Sequence, residues 1–414
     1  MGFPYESDYN NLAPRAGFAW DVFGDGHTAI RGHYGISYDA LTAEQASGVL
    51  IPQPFGLSYT LNNPAALSAP YAGTTNPFPF IFDPASARFV LPVRIPKAVD
   101  GGVRNPYAQT FGLNVQRQFA SLLVDVGYVG TLGRKLIILR EVNPAIPGPG
   151  ATTANTNARR IYAPAFESIG GLFSDGRSNY HSLQVQVVRR WTAGLTFNAN
   201  YTWAKSIDEA VSGGNAFATV DQGGAQNPFN RRADRALSDF DIRHRLAASF
   251  LYEIPFRDRG GWSRLYGGWE LGGLVTAETG SPFTVVSGRD NSLTAVGFDR
   301  PDVIGDPRLE AGSRQESIQR YFNTEVFRRN ADGQFGNAGR NILTGPSRFM
   351  LDTSLTKRFA IAEHHSLQLR GDAFNILNRP NFSDPVASLA SSNFGQITSA
   401  GAGRILQVSL KYSF

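Results

Sequence analysis

The chain has 414 residues, of which 42% are hydrophobic and 18% charged, with 44 Gly, 24 Pro, 29 Phe and no Cys. The lack of Cys excludes disulfide scaffolds, thiolate zinc sites, redox CxxC motifs and a Cys nucleophile. A net charge of +5 spread without any block of like charge gives no argument for nucleic acid, and no apolar run approaches the ~18 residues of a membrane-spanning helix.

Helix-period segments are almost absent, and strict apolar/polar alternation predicts strands in pairs along the chain. The first pair, 13–20 and 28–38, turns at Gly24-Asp25-Gly26, and the second, 107–118 and 122–132, turns at Phe119-Ala120-Ser121. Strands 180–190 and 194–204 connect through Trp191-Thr192-Ala193, and 241–254 and 268–279 through a somewhat longer link. Strands 348–359 and 364–376 connect through Ala360 to Glu363, and a last strand ends at Phe414. Between the pairs lie long connections rich in Pro, Gly, Asn, Ser and Arg: 39–106, 133–179, 205–240, 280–347 and 377–402. The span 1–414 therefore reads as one all-β antiparallel domain in which short and long connections alternate.

Each strand has one apolar and one polar face. Leu195, Phe197, Ala199, Tyr201 and Trp203 alternate with Thr196, Asn198, Asn200 and Thr202; Leu183, Val185 and Val187 alternate with Gln184 and Gln186. Leu367 and Leu369 likewise oppose Gln368, Arg370 and Asp372, and Leu406, Val408, Leu410, Tyr412 and Phe414 oppose Gln407, Ser409, Lys411 and Ser413.

Alternation alone fits any half-buried sheet, so the connections decide. Compact soluble domains rarely carry several loops longer than about 15 residues. Outer-membrane barrels have short periplasmic turns, long extracellular loops and strands of about ten residues. On this reading Gln184, Gln186, Asn198, Asn200, Gln368, Arg370 and Asp372 face the lumen, while Trp20, Tyr128, Tyr201, Trp203, Tyr252, Trp269 and Tyr412 form an aromatic girdle. A mean hydropathy of −0.22 is compatible, because only every second strand residue meets lipid. The competing readings are a secreted or surface all-β binding module, whose aromatics would lie in a soluble core, and a plug-free porin.

The alternation gives about eleven strands, whereas bacterial barrels have even numbers. With short turns in the periplasm the first strand runs downward, and the last leaves Phe414 in the periplasm. The expectation is an authentic C-terminus and a truncated N-terminus, with signal, earlier domain and first strands lying upstream. The start Met1-Gly2-Phe3-Pro4-Tyr5-Glu6, without a basic n-region or apolar h-region, is then explained by truncation better than by cytoplasmic residence.

Several short stretches carry a family resemblance: Asn11 to Trp20, Thr28 to Gly35, Asn105-Pro106-Tyr107-Ala108-Gln109, Val126 to Gly130 and Asn179-Tyr180-His181-Ser182-Leu183-Gln184. Tyr201-Thr202-Trp203-Ala204-Lys205-Ser206, Asp241-Ile242-Arg243-His244-Arg245, Phe335 to Asn341 and Ala373-Phe374-Asn375-Ile376-Leu377-Asn378 complete the set. In order and spacing they resemble the C-terminal part of the β-barrel of an Oar-like TonB-dependent receptor of the acidobacterial type. The resemblance implies a 22-stranded barrel in the cell outer membrane, of which about half stands here. It further implies an N-terminal plug through which TonB acts, uptake or export of an unidentified substrate, and contact with outer-membrane lipid and lipopolysaccharide. Leu410, Tyr412 and Phe414 resemble the terminal signal read by the barrel-assembly machinery.

Catalytic signals are weak, and neither an enzyme nor a cofactor is expected. None of His27, His33, His181, His244, His364 and His365 stands in a metal-ligand spacing, and the adjacent His364-His365 read as turn residues. Asp25-Gly26, Asp332-Gly333 and Asp239-Phe240-Asp241 lack an EF-hand pattern, and Gly213-Gly214 and Gly223-Gly224 read as loop glycines. The densest charged cluster, Arg231-Arg232-Ala233-Asp234-Arg235, reads as a solvated loop face, with lipopolysaccharide phosphates or an anionic substrate as the alternative.

Overall fold

The computed structural model describes residues 5–40, 61, 66–79, 81–85, 88–89, 91–209, 225–256, 266–297, 299–310, 312–362 and 364–414. Much of the predicted connection 39–106, part of 205–240 and the glycine pairs at 213–214 and 223–224 lie outside the described residues. In chain order the strands are β1 (Arg15–Asp21), β2 (Thr28–Tyr38), β3 (Val93–Val99), β4 (Tyr107–Phe119), β5 (Leu122–Glu141), β6 (Phe166–Thr192) and β7 (Leu195–Asp208). They continue as β8 (Ala236–Leu237), β9 (His244–Glu253), β10 (Trp269–Glu278), β11 (Pro282–Phe283), β12 (Asp302–Val303), β13 (Phe327–Arg328) and β14 (Leu343–Thr344). The last three are β15 (Arg348–Ala362), β16 (His365–Phe374) and β17 (Ile405–Ser413).

Eleven of them make one antiparallel path, β1-β2-β4-β5-β6-β7-β9-β10-β15-β16-β17, matching the predicted strands one for one. The path is open: β1 and β17 each pair on one side only and are exposed along their whole lengths. The β6–β7 hairpin shows why the short turns form. Thr192 pairs with Leu195, and the two intervening residues, Ala193 and Gly194, both have positive φ, as a two-residue turn that follows strand twist requires.

The connection predicted over 133–179 is a correction. β5 continues to Glu141 and β6 begins at Phe166, so only the middle of that span is loop. The β5–β6 ladder carries register shifts between Arg134, Leu136 and Ile138, and a bulge moves successive side chains out of strict alternation. An alternation rule therefore ends the strands too early.

Register sorts the residues by face, since directly paired residues project to the same side. One row across the path is Trp20, Ile30, Val115, Val126, Val185, Tyr201, Leu246, Ala277 and Phe349, which is apolar throughout. A neighbouring row on the opposite face is Arg31, Asn114, Gly127, Gln184, Thr202, Arg245, Glu278 and Arg348. On the apolar face phenylalanine rings lie over glycines of the adjoining strand, Phe18 over Gly32, Phe111 over Gly130 and Phe250 over Gly273, where any Cβ would strike the ring. These contacts cover backbone that glycine would otherwise leave bare.

The larger hydrophobic core is not in this sheet, whose own buried apolar cluster is small, Leu139 on β5 and Leu172 on β6 with Val99 and Ile137 packed against them. Phe283, Val285, Phe322, Phe327 and Leu343 form the main buried cluster, with Val303, Tyr321, Ala387, Leu389 and Phe394 packed against it. All come from the connections predicted over 280–347 and 377–402, which are folded rather than structureless. The two segments zip together through Val286 N–H to Ala387 O at 3.0 Å, Leu389 N–H to Val286 O at 2.9 Å and Ile397 N–H to Ile318 O at 2.9 Å. We call this unit the cap and the eleven-stranded sheet the wall.

Candidate functional site

The polar face is a ladder of uncharged amides and paired charges. Asn114 donates to Asp125 at 2.8 Å, Gln186 to Asn198 at 3.4 Å and Asn200 to Asn198 at 3.2 Å. Asp125, Gln184, Gln186, Asn200 and Thr202 border a shallow recess of about 340 Å³. Further along the sheet Glu278 lies between Arg245 and Arg348 at 3.9 and 3.8 Å, and Arg370 grips Asp372 at 2.8 Å. Register places Gln368, Arg370 and Asp372 opposite Arg358, Thr356 and Ser354, on the same side as the amide ladder. The seven polar residues singled out in sequence thus share one face.

The seven aromatic residues expected to form a girdle stand on the other face, at two levels. β7 and β9 define the interval, because Trp203 pairs with His244 at one end and Leu195 with Tyr252 at the other. That separation is about 27 Å along the strand at ~3.4 Å per residue. Tyr128, Tyr201 and Trp203 stand toward the cap from their short turns, while Tyr252, Trp269 and Tyr412 stand beside the short turns; Trp20 also stands beside a turn, at the end of β1, although register carries its row to Tyr201.

Three girdle tyrosines hold a histidine of the adjoining strand: Tyr128 with His181 at 2.6 Å, Tyr201 with His244 at 2.7 Å and Tyr412 with His365 at 2.6 Å, each through Nδ1. Histidine spacing alone gave no sign of these pairs; the period-2 alignment of the strands could have done so. Leu410, Tyr412 and Phe414 all lie on the apolar side of the last strand, and Tyr412 stacks on Phe414.

Lys357 departs from the pattern. It sits in the apolar row between Trp269 and Leu369, yet it is buried and bonds the Gly267 carbonyl, with its ammonium 5.7 Å from the Trp269 ring and 5.0 Å from that of Phe359. The hydrophobic stem fills the row and the charge reaches its end, as snorkelling lysines do.

The cap is joined to the wall by buried arginines. Arg340 bonds Asp208 at the end of β7, approaches Asp239 at 3.4 Å and donates to the Asp234 carbonyl at 2.9 Å. Arg300 donates to Asp234 at 2.5 Å and to the Ala338 carbonyl at 2.7 Å. Asn341 donates to the Leu237 carbonyl at 2.7 Å and to Asp239 at 2.6 Å. The Phe335 to Asn341 stretch is therefore a staple, and Gly336 is needed because the Arg300 and Pro301 backbone presses against it.

The solvated-face reading of the Arg231 cluster holds for Arg232, Ala233 and Arg235, which are exposed, and is corrected for Arg231 and Asp234. Arg231 pairs with Asp175 and, at 3.1 Å, with Glu209, while Asp234 is 1% exposed. Buried charges persist only when paired, and sequence adjacency concealed partners that are tens of residues away. Two further motifs meet here: Ser206 N–H donates to Asp241 at 2.5 Å, and Trp203 stacks on His244 at an interplanar angle of 4°.

Inside the cap burial pushes the Asp299 carboxyl up to about 6, against hydrogen bonds from Ser292 that lower it. Asp384 is likewise raised by burial, and Tyr321 by burial and by the nearby Asp384 charge. A cleft of about 900 Å³ opens beside the cap core, lined by Arg308, Leu309, Glu316, Arg320, Tyr321 and Leu343 among others. Its charges are largely paired already, Arg320 with Glu325 at 2.9 Å and Glu316 with the Ser313 N–H at 2.6 Å. No group of three or more His, Cys, Asp or Glu arranged to hold a metal occurs among the described residues.

A family model described as "Outer membrane beta barrel domain" matches residues 3–407. No curated protein matches the chain. Among solved structures, the outer membrane transporter YddB from Escherichia coli is similar at 12% identity and a TM-score of 0.49, over 98% of this chain and 41% of that one. The siderophore receptor PirA from Acinetobacter baumannii is similar at 11% identity and a TM-score of 0.47, over 97% and 41%. The FrpB iron transporter from Neisseria meningitidis gives 12%, 0.44, 98% and 39%. The chain spans less than half the length of these structures.

Proposed function

The chain belongs to the outer membrane beta barrel domain family, and from that premise we propose that it is the C-terminal wall and surface cap of a TonB-dependent receptor of the Oar-like type, carrying a substrate across the outer membrane. It acts by binding and conduction, without covalent chemistry or cofactor. Residues 1–414 are then one partial barrel domain, to which both wall and cap belong. The short turns face the periplasm and the cap faces outward. The apolar rows meet lipid between the two aromatic levels, and Leu410, Tyr412 and Phe414 present the terminal strand to the barrel-assembly machinery.

The polar ladder of Gln184, Gln186, Asn198, Asn200, Gln368, Arg370 and Asp372 lines the lumen, where the plug of the whole receptor would pack. Uncharged amides suit that position, since they bond a plug or a passing solute without holding either as tightly as a charge would. The cap captures the substrate, and TonB acts only through the plug.

The observation that carries this reading is the two-faced register. An apolar face continuous over nine strands, with Trp203 51% and Leu183 36% exposed, is far larger than a soluble monomer tolerates. Lipid removes that cost, and a strand wall closed into a barrel is one of only two backbone arrangements that satisfy their polar groups there.

Two measurements test it. Expressed with an export signal, the chain partitions into detergent from the outer-membrane fraction; recovery from the aqueous phase would instead support the surface module. DNA immediately upstream of the Met1 codon encodes a plug in frame, and substrate uptake by that longer protein is lost in cells lacking TonB. Uptake that persists without TonB would support the porin.

A further inference from the structure

We propose that the cleft beside the cap core is a binding site for an extended, basic peptide segment, which joins the outer edge of β14 as a parallel strand. The proposal rests on the reading that the cap captures the substrate, and it assigns that substrate the class of a polypeptide chain.

β14 pairs with β11 on one side only. Gly345 N–H donates to Ser281 O at 2.8 Å, and Leu343 stands two residues earlier opposite Phe283, so the amides of Leu343 and Gly345 both turn to β11. Each trans peptide plane carries its C=O and N–H on opposite sides, which turns Ile342 O, Thr344 N–H and Thr344 O away from β11. The Tyr321 hydroxyl shows where they point, since it lines the cleft and donates to Thr344 O at 3.1 Å. Ile342, Leu343 and Thr344 line the same cleft, and Thr344 is exposed.

Among the described residues, Ile342 O and Thr344 N–H have no hydrogen-bond partner. An acceptor and a donor placed two residues apart on one strand edge are what a single residue of a parallel strand bridges, its N–H donating to the first and its C=O accepting from the second. An antiparallel partner would instead need Thr344 O together with Thr344 N–H, and Tyr321 already occupies that carbonyl. A compact ligand fills the cleft without answering this edge.

Charge complementarity fixes the character of the chain. Of the charged residues lining the cleft, Arg320 is paired with Glu325 at 2.9 Å and Arg308 with Asp306 at 3.5 Å. Glu310 and Glu316 meet no cation among the described residues, and Glu316 receives the uncharged Ser313 N–H at 2.6 Å. Arg314, between them in sequence, is not among the lining residues. The cleft thus sets two carboxylates without counter-charge and the apolar Leu309, Tyr321 and Leu343 around a free strand edge. A strand alternating basic and apolar residues answers both, because its successive side chains turn to opposite sides.

The test uses the whole chain in detergent micelles, with a capped hexapeptide alternating lysine and valine as probe, and calorimetry and amide hydrogen exchange as readouts. Two counterparts carry glutamate in place of lysine or N-methyl groups along the backbone. The lysine peptide binds at least about tenfold more tightly than either counterpart. At saturation it slows exchange of the Thr344 amide about tenfold and leaves the Leu343 and Gly345 amides, already turned to β11, as they were. Thr344→Pro removes the donor on the free side of β14 and weakens binding about tenfold, whereas Thr344→Val keeps the N–H and binds as the parent does. No binding at about 1 mM, equal affinity for either counterpart, unchanged exchange at Thr344, or a Thr344→Pro variant that binds as the parent does would overturn the proposal. The peptide comparison is made on the parent chain, so it stays decisive should the proline variant fold poorly. These readouts need neither bilayer nor TonB. A chain recovered from the aqueous phase whose Thr344 is still protected by the peptide overturns the receptor reading alone, and detergent partition without that protection overturns the peptide site alone.

Discussion

Wall and cap are built by opposite rules within one chain. The wall has almost no core of its own, only the Leu139 and Leu172 cluster: its backbone is paired along the path, but most of its apolar side chains stay uncovered. The cap has little regular structure, yet it contains the buried phenylalanines and the arginines, Arg300 and Arg340, of two buried ion pairs. The wall's stability therefore depends on its solvent, and the cap's on its own packing and on buried charge pairs that it makes with Asp208 and Asp234 outside it. Substitutions of the same size should act differently in the two regions.

The largest effect is expected at the staple. Arg340→Met leaves Asp208 a buried and unpaired carboxylate, a loss of about 3–5 kcal/mol. Hydrogen exchange should accelerate across 280–347 and leave the β4–β7 amides protected. Phe322→Ala, which empties the centre of four touching rings, costs a similar ~3–5 kcal/mol in the cap alone. Equal loss of protection in the wall would show that the two regions unfold together and would end the distinction.

The wall is challenged next by two neighbours on β10. Val275 lies in the apolar row with Ala248 and Leu351, midway between the aromatic levels, whereas Thr276 faces the polar side with Ala247 and Met350. Val275→Arg should cost ~2–4 kcal/mol for folding into a bilayer, and Thr276→Arg under about 0.5 kcal/mol. Comparable costs at both positions, measured by folding into lipid vesicles, would deny that the faces have different surroundings.

The same contrast explains what the sequence disclosed. All eleven wall strands follow from alternation, because a two-faced strand writes its period directly into Leu195 to Trp203 or Leu406 to Phe414. Where the ladder bulges beyond Arg134 the period fails, and the strand extension was missed. The cap was invisible for a different reason. Its partners, such as Arg300 with Asp234 or Phe283 with Phe322, are separated by tens of residues and follow no period. The Phe335 to Asn341 stretch was recognisable as a motif, but its role as a staple needs Asp208 and Asp239 in space.

A smaller effect, at most about 3 kcal/mol at ~1.4 kcal/mol per pH unit, is expected from Asp299. Its carboxyl titrates near 6 in the cap and near 3.8 when unfolded, so between those values the folded state holds more protons. Cap stability therefore falls as pH rises from about 4 to about 6 and levels off above that. Asp299→Asn should flatten this dependence while retaining an acceptor for the Ser292 N–H. The measurement is exchange of the 287–299 amides at pH 4.5 and 7; an unchanged slope in the variant would assign the proton to another group. The wall, whose polar ladder is mostly amide, should show no such slope over its β6–β7 amides.

The smallest effect returns to the wall. Tyr201 shares a hydrogen bond with His244 at 2.7 Å on the apolar face, at the level nearer the cap, and stacks on the same ring at an interplanar angle of 23°. Tyr201→Phe keeps the ring and its stacking and removes only the hydroxyl. If this level lies at a wet lipid boundary, water or a headgroup replaces the bond and the cost stays near 0.5–1 kcal/mol. If it lies deep in hydrocarbon, His244 Nδ1 is left without a partner, and the cost rises to ~2 kcal/mol or more. Folding free energies of Tyr201→Phe in vesicles of two bilayer thicknesses distinguish these cases. A cost that grows with thickness would move the aromatic level inward and shorten the apolar band inferred from Trp203 and Tyr252.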